Sequence, residues 1–290
     1  MAENPQTLLP HPLTGRLFPS PVPPGTGWPE DPAGADTPVA RDAARVRELA
    51  AGASDVEQLN ALCSVCRTCE RLVEWREDVA ERKRASFAGE PYWGRPVPSY
   101  GDPMARLVIV GLAPAANGGN RTGRMFTGDR AGDWIYAALY RAGFAANETV
   151  STAGDGQTLR GVRMIAPVRC APPANKPAPD EKAACSGWFE REIALLPHVE
   201  SMLALGGIAW HTTLAAAARM GWDVPRPRPK FGHGAVARLR TPEGRTVRLV
   251  GCYHVSQRNT FTGLLTREML DDVMALAAAP ASGEEESGEV

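Results

Sequence analysis

With 290 residues, the chain can form one large domain or two small ones, and its 43% hydrophobic and 22% charged residues predict an ordinary globular protein with a buried core. Its formal net charge of −1 excludes a strongly basic protein. The sequence contains no apolar run of membrane-spanning length and no signal peptide, so we expect a cytoplasmic protein. In that compartment its six cysteines favour free thiols or metal ligands over disulfides.

The two ends of the chain differ in composition from its middle. Proline and glycine crowd residues 1–38, which we predict to be an arm without regular elements that can lie extended over a domain surface. Residues 280–290 include four glutamates and are predicted to be an acidic, disordered tail. Residues 39–279 are expected to fold as one domain, beginning with one or two helices in "VARDAARVRELAAGASDVEQLNALCSVC".

Short apolar runs then alternate with helical patterns. We predict strands at Arg106 to Val110, Val162 to Val168, Ser201 to Leu205 and Thr246 to Gly251. The helices are predicted at Asp133 to Ala142, Asp180 to Leu196, Ile208 to Arg219 and Leu265 to Ala278. This alternation predicts an α/β fold with a parallel sheet covered on both faces. Because ligands bind beyond the carboxyl ends of such strands, the residues that follow the strands are expected to meet at one edge.

Five of the six cysteines fall into two groups that suit metal ligation. Cys63, Cys66 and Cys69 are separated by two-residue gaps, and Cys170 and Cys185 lie far downstream. Two ligands from a local Cys-x-x-Cys and two distant ones can hold either zinc or an iron–sulfur cluster. The fourteen residues between the distant pair favour the cluster but leave zinc open.

The stretch "GLAPAANGGNRTGRMFTGD", residues 111–129, follows the first predicted strand, and we call it the glycine loop. Its glycines imitate a phosphate-binding loop, but Arg124 and Met125 stand where lysine and a hydroxyl residue would contact phosphate and magnesium. A nucleoside triphosphate site is therefore not predicted. Taken separately, Phe126 is a core residue and Asp129 a helix cap. Together they also describe a pocket in which a flat base stacks on a ring.

His254 lies at the end of the last predicted strand, in "CYHVSQRNTFTGLLT". A lone histidine is often structural, but this one is expected across the sheet edge from the glycine loop, which favours a catalytic part. The polar residues after it can contact phosphates.

Five stretches occur in order between about Cys66 and Met274: "CRTCERLVEWRE", "GLAPAANGGNRTGRMFTGD", "VRCAPPANKPAPDE…C", "PRPKFGHGA" and "HVSQRNTFTGLLT". Together they resemble the family 5, or B-type, uracil-DNA glycosylases, the iron–sulfur branch of that superfamily. The resemblance implies a three-layer α/β/α sandwich with a four-stranded parallel sheet. It also implies removal of uracil from DNA, and of other deaminated bases such as hypoxanthine.

The resemblance further implies a [4Fe–4S] cluster, for which the matching cysteines are Cys66, Cys69, Cys170 and Cys185. Cys63 and Cys252 fall outside the pattern. We predict a structural and not a redox part for the cluster. The expected partner is DNA, double- or single-stranded, and we expect a monomeric, nucleoid-associated enzyme without a membrane partner.

Cleavage of the N-glycosidic bond leaves an oxocarbenium-like sugar and an anionic base, so the enzyme must flip the nucleotide out and stabilise both charges. We predict that His254 donates a hydrogen bond to the developing negative oxygen of the base. Other branches of the superfamily carry an acidic or amide side chain in the first motif, which is missing here. We therefore assign Asp129 to water or oxocarbenium stabilisation and Asn175 to base or water contact.

The residues predicted to line the base pocket are Gly111, Leu112, Ala113 and Phe126. Small Ala115 and Ala116 are predicted to widen this pocket enough for purines. The residues predicted to contact DNA are Arg121, Arg228, Ser256, Gln257, Arg258 and Asn259, with Arg124, Arg226 and Lys230 as further phosphate candidates.

Three alternatives remain at this stage. The first is a non-catalytic nucleic-acid-binding module stabilised by zinc or a cluster. The second is a superfamily relative that traps the abasic product covalently, although no basic insertion precedes His254. The third is a phosphate-ester hydrolase, which the sequence supports poorly because it lacks clusters of carboxylates and histidines for catalytic metals.

Overall fold

The computed structural model describes residues 7–280, so the first six residues of the arm and nearly all of the predicted acidic tail lie outside the described residues. The strands are β1 (Leu9–Pro10), β2 (Leu17–Phe18), β3 (Tyr100–Gly101), β4 (Leu107–Val110), β5 (Val162–Ile165), β6 (Ser201–Leu205), β7 (Val236–Arg240) and β8 (Thr246–Cys252). The helices are α1 (Ala43–Gly52), α2 (Val56–Ser64), α3 (Glu70–Arg82), α4 (Gly119–Thr122), α5 (Arg130–Arg141), α6 (Pro179–Ala194), α7 (Gly207–Arg219), α8 (Gln257–Phe261) and α9 (Arg267–Ala278).

The main sheet has six strands in the order β3-β5-β4-β6-β8-β7. The four strands predicted from apolar runs are its centre and pair in parallel. The predicted count of four is corrected by two antiparallel edge strands, β3 and β7. Alternation of exposed and buried residues along β7 is what an edge strand with one solvent face requires, so it lacks the continuous apolar run of the central strands.

The predicted helices and strands are found with shifted ends. Strand β5 stops at Ile165 and not at Val168, because Pro167 has no N–H to donate to a neighbouring strand. The segment after the arm forms two helices, α1 and α2, each begun by an aspartate that accepts a hydrogen bond from the first turn. Helix α3, which holds part of the cysteine motif, was missed by the sequence prediction.

Helices cover both faces of the sheet, as the three-layer prediction requires. Helices α5 and α9 pack on one face, and α6 and α7 pack on the other. The central strands are buried on both sides, and full burial of each Val, Leu or Ile contributes roughly 1.5–3 kcal/mol. A smaller third core joins α1 and α2 to Trp188 of α6.

The proline-rich arm is packed into the domain along its described part. Strands β1 and β2 pair as a short antiparallel hairpin, which corrects the expectation that the arm has no regular elements. Phe18, Val22 and Trp28 are buried in the same core as β4 and α5. The arm therefore contributes to the main hydrophobic core and does not merely lie over it.

None of the helices within residues 7–280 is long and apolar enough to cross a membrane.

A buried carboxylate joins three segments of the domain. Glu192 of α6 accepts a hydrogen bond from Arg163 of β5 (2.7 Å) and another from Arg169, in the segment after β5. All three side chains are buried. The pKa of Glu192 lies below its usual value: burial alone would raise it, but the two guanidinium charges outweigh that effect.

We predict that Glu192→Ala destabilises the protein by about 3–5 kcal/mol, because it leaves two buried guanidinium groups unpaired. Glu190→Ala is the matched control, since Glu190 lies on the same helix but pairs with half-exposed Arg219. Its cost should not exceed about 1 kcal/mol. Urea unfolding of the two variants measures the difference, and equal effects would contradict this account of the ion pairs.

Candidate active site

Three polar residues predicted to act in catalysis follow three strands of the parallel sheet. Asp129 closes the glycine loop after β4, Asn175 lies after β5, and His254 follows β8. Backbone hydrogen bonds continue beyond the strands at this edge, from Gly111 N to Ile165 O (2.9 Å) and from Gly206 N to Cys252 O (2.8 Å). The strand ends are therefore in register, and the three loops leave the sheet at the same edge.

The ring of Phe126 lies against the backbone at the end of β4. A Cβ atom placed on Gly111 would be 2.7 Å from Phe126 Cζ, so only glycine permits this approach. Phe126 itself has φ of +50°, a left-handed conformation that costs a phenylalanine about 1–2 kcal/mol. Leu112 and Ala113 are half-buried beside it. The glycine loop thus bends back so that an aromatic ring covers its own start.

Asp129 begins helix α5 and also faces the glycine loop. Its Oδ1 accepts a hydrogen bond from Gly132 N (2.9 Å), so the predicted cap is present. Its Oδ2 lies so close to Gly118 that a Cβ atom there would collide with it. Burial raises the pKa of Asp129, although hydrogen bonds from Gly132 and Ala131 oppose that effect. Capping uses Oδ1, whereas Oδ2 faces Gly118 of the glycine loop.

His254 lies beside Gly206, the residue between β6 and α7, and burial lowers the pKa of His254. The imidazole is therefore neutral at pH 7. Asn259 Nδ2 donates to the His254 carbonyl (2.8 Å), and Ser256 caps helix α8 by accepting from Asn259 N (3.5 Å). Two of the residues predicted to contact DNA thus fix the loop that carries the histidine.

A second histidine, which the sequence prediction missed, supports the first. His233 Nδ1 accepts from Tyr253 N (3.2 Å), and its Nε2 lies 3.2 Å from Met269 O. This pair of contacts requires the neutral tautomer with the proton on Nε2. The motif "KFGHG" gave no signal of these contacts, because their partners, Tyr253 and Met269, lie elsewhere in the chain.

Asn175 lies in a short 3-10 turn, Pro173–Asn175, and its side chain is exposed. Ala174 and Asn175 have φ of +52° and +56°, two consecutive left-handed residues that are not glycine. Such conformations are unfavourable by about 1–3 kcal/mol each and are concentrated at functional sites. The turn leaves the Asn175 side chain exposed, in the segment that follows β5.

The cationic residues predicted to contact DNA differ in exposure. Arg226, Arg228 and Lys230 are exposed, and their segment is anchored by Trp210 Nε1, which donates to Pro229 O (3.0 Å). Gln257 and Arg258 are exposed on α8.

Two arginines of the glycine loop lie inside the protein, where phosphate contact is not favoured. Arg121 donates to Glu90 (2.6 Å), Asn117 O and Gly128 O, so its guanidinium has internal partners on every side. Arg124 is 1% exposed.

Five cysteines surround one cavity between α3, α6 and the segment after β5: Cys63, Cys66, Cys69, Cys170 and Cys185. Burial raises the pKa values of Cys69, Cys170 and Cys185, so these thiols are neutral unless a metal deprotonates them. Cys252 lies apart, in the core beneath α9, where its thiol donates to Tyr253 O. The sequence grouping of the cysteines thus matches their grouping in space.

Unpaired donors around this cavity fit an anionic, sulfur-rich group. Arg76 Nη1 donates to Cys170 Sγ (2.9 Å), while Arg76 Nε, Arg169 Nε, Arg169 Nη1 and Trp188 Nε1 are buried without an acceptor. Buried donors without acceptors are rare, and an iron–sulfur cluster offers sulfur acceptors and negative charge. Between residues 7 and 280, no group of three His, Cys, Asp or Glu side chains is placed to hold a single metal ion.

Comparisons with known proteins agree with this fold. The family model described as Uracil DNA glycosylase superfamily matches residues 98–277. The type-5 uracil-DNA glycosylase of Mycobacterium bovis is 56% identical over 264 residues, covering 91% of this chain and 96% of the relative. Those of Thermus thermophilus and Pyrobaculum aerophilum are 49% and 40% identical, covering 76% and 74% of this chain and 95% and 89% of the relatives. The chain belongs to the uracil DNA glycosylase superfamily and, within it, to the type-5 uracil-DNA glycosylases.

Proposed function

We propose that this protein is a DNA repair glycosylase that hydrolyses the N-glycosidic bond of uracil in DNA and leaves an abasic site. The observation that carries the proposal is the placement of Asp129 and His254 on loops that leave one edge of the sheet, with burial shifting their pKa values in opposite directions. Relatives named type-5 uracil-DNA glycosylases match nearly the whole chain, which leaves the non-catalytic binding module without support.

His254 stabilises the leaving base. As the bond breaks, negative charge grows on an oxygen of the base, and a hydrogen bond from the imidazole strengthens as that charge develops. The low pKa of His254 keeps the ring neutral, and the neutral ring donates this hydrogen bond through its one N–H group. Asn259 holds the His254 backbone, which fixes the direction of that bond.

Asp129 acts on the opposite charge. The Oδ2 atom, which is not used in the helix cap, can orient a water toward the sugar or stabilise its oxocarbenium character. Asn175 supplies a side-chain amide from the neighbouring loop, which can form a hydrogen bond with the base or with the water. Its left-handed backbone conformation is of the kind that is concentrated at functional sites.

The pocket for the flipped base is formed by the Phe126 ring and the backbone of residues 111–113. No tyrosine or phenylalanine occurs between Gly111 and Asn120, and Ala115 lies next to Gly118 and hence near Asp129. The pocket therefore accepts hypoxanthine as well as uracil. Exposed Arg226, Arg228, Lys230 and Arg258 bind phosphates on either side of the base, and Gln257 fills the gap in the duplex.

The residues around the cysteine cavity are proposed to hold a [4Fe–4S] cluster, with Cys66, Cys69, Cys170 and Cys185 as ligands. When bound, the cluster would supply a rigid, negatively charged cross-link between the segments that carry the four cysteines. It would take part in no step of the reaction. Arg76 and Arg169 neutralise that charge, and Glu192 links Arg169 to the sheet. This arrangement orders the loop after β5, on which Asn175 lies.

We expect release of both uracil and hypoxanthine from matched duplex oligonucleotides, detected as alkaline cleavage at abasic sites. Ala116→Tyr should slow hypoxanthine release far more than uracil release, because a large side chain narrows a pocket that must admit a purine. Release of uracil alone by the unchanged protein would contradict the wide pocket.

Asp129→Asn should lower kcat by about 10²–10⁴-fold, the contribution of a positioned general base. Because burial raises the pKa of Asp129, the activity of the unchanged protein should fall on acidification at a pH above the pKa of an ordinary aspartate. Only Asp129→Asn should remove this acid limb of the pH profile.

His254→Ala should lower kcat by about 10²–10³-fold, as loss of an oxyanion donor does. His211→Ala, at an exposed position of α7, is the control. A fully active His254→Ala would exclude the oxyanion role.

Cys66→Ser should lower the iron and sulfide content and the broad visible absorption of the purified protein, and reduce its solubility. Cys252→Ser, in the core away from the cavity, should leave iron content unchanged. The proposal fails if the unchanged protein carries zinc without iron, or if Cys66→Ser retains full iron and stability.

A further inference from the structure

The described part of the N-terminal arm, residues 7–38, contacts the glycine loop directly. Trp28 is buried, and a Cβ atom on Gly123 would lie 2.8 Å from its Nε1 atom. His11 and Phe18 pack their edges against the same indole, at ring-centroid distances of 4.7 and 5.2 Å. The arm therefore forms an aromatic floor beneath the middle of the loop.

A carboxylate of the arm, Glu30, also pairs with a buried charge of the glycine loop, the guanidinium of Arg124. Glu30 Oε1 accepts from Arg124 Nη1 (3.1 Å) and from Gly154 N (2.8 Å). Asp155 accepts from Arg124 Nη2 (2.5 Å). Arg124 is 1% exposed, so its charge depends on these two carboxylates.

Hydrogen bonds connect Arg124 to the residues on either side of Phe126, which lines the proposed base pocket. Its Nε donates to Thr127 Oγ1 (3.1 Å), and the Thr127 hydroxyl donates to Met125 O (3.1 Å). Both residues are buried and flank Phe126, whose left-handed backbone needs such fixation. Asp129 follows two residues after Thr127.

We propose that the arm is a positioning element of the active site: Glu30 and Trp28 hold the glycine loop in the conformation that presents Phe126 and Asp129 to a flipped base. The effect on the reaction rests on the proposed function, whereas the effect on the loop does not. Because Glu30 acts through Arg124 and Thr127, it is a positioning residue and not a catalytic one.

The test is Glu30→Gln, which removes the charge but keeps the size of the side chain, and which should fold because Asp155 still neutralises Arg124. Asp36→Asn is the matched control, because Asp36 is an exposed carboxylate of the same arm.

We expect Glu30→Gln to lower kcat for uracil release on the order of tenfold with little change in KM, because small misplacement of reacting groups slows chemistry. Deuterium uptake of residues 122–132 should rise, and thermal stability should stay near that of Asp36→Asn. In Asp36→Asn, both kcat and this uptake should match the unchanged protein. Glu30→Asp, which keeps the charge but shortens the reach, should fall between the two and serves if Glu30→Gln does not fold.

The inference is overturned if Glu30→Gln leaves both kcat and exchange of the loop unchanged, or if Asp36→Asn alters them equally. If the unchanged protein releases no uracil, the proposed function fails. The exchange measurement then decides the positioning role by itself.

Discussion

Buried arginine side chains hold the irregular segments of this protein to its sheet. Arg124 joins the glycine loop to the arm, and Arg163 and Arg169 share Glu192 between β5, the segment after it and α6. Arg95 joins the arm to α2 through Asp31 and Ser64. An unpaired guanidinium costs several kcal/mol in such surroundings, so each pair fixes the segment that supplies its acceptor. The abundance of arginine over lysine in the sequence therefore has a structural use, because a planar fork can satisfy several acceptors at once.

This constraint explains how long loops present catalytic groups with defined geometry. The parallel sheet places the starts of the loops at one edge, but the glycine loop runs nineteen residues to Asp129 with a single short helix of its own. Arg121 closes it from within through Asn117 O and Gly128 O, and Arg124 ties it to outside segments. The proposed cluster acts similarly on the loop after β5, with cysteines in place of carboxylates.

The sequence was sufficient to predict those features that depend mainly on residues close together in the chain. Continuous apolar runs predicted β4, β6 and β8, because strands buried on both faces need no polar residues, and the placement of His254 and Asp129 after strands followed from that topology. Edge strands β3 and β7 and the packed arm were not predictable, since their pairing depends on partners distant in the chain. Arg121 and Arg124 were predicted to contact phosphate because their actual partners are also distant in the chain. Their carboxylate partners, Glu90 and Glu30, cannot be recognised from the loop itself.

The most direct measurement is mass spectrometry of the products formed when the purified protein is incubated with a duplex containing one uracil. The catalytic groups lie on loops at the sheet edge that buried ion pairs hold in place. They should cleave only the bond between the base and the sugar. The account predicts equal amounts of free uracil and of an oligonucleotide with one abasic site, and no product from a matched thymine duplex. An unchanged uracil duplex, or one with a cleaved phosphodiester and the base still attached, would contradict it.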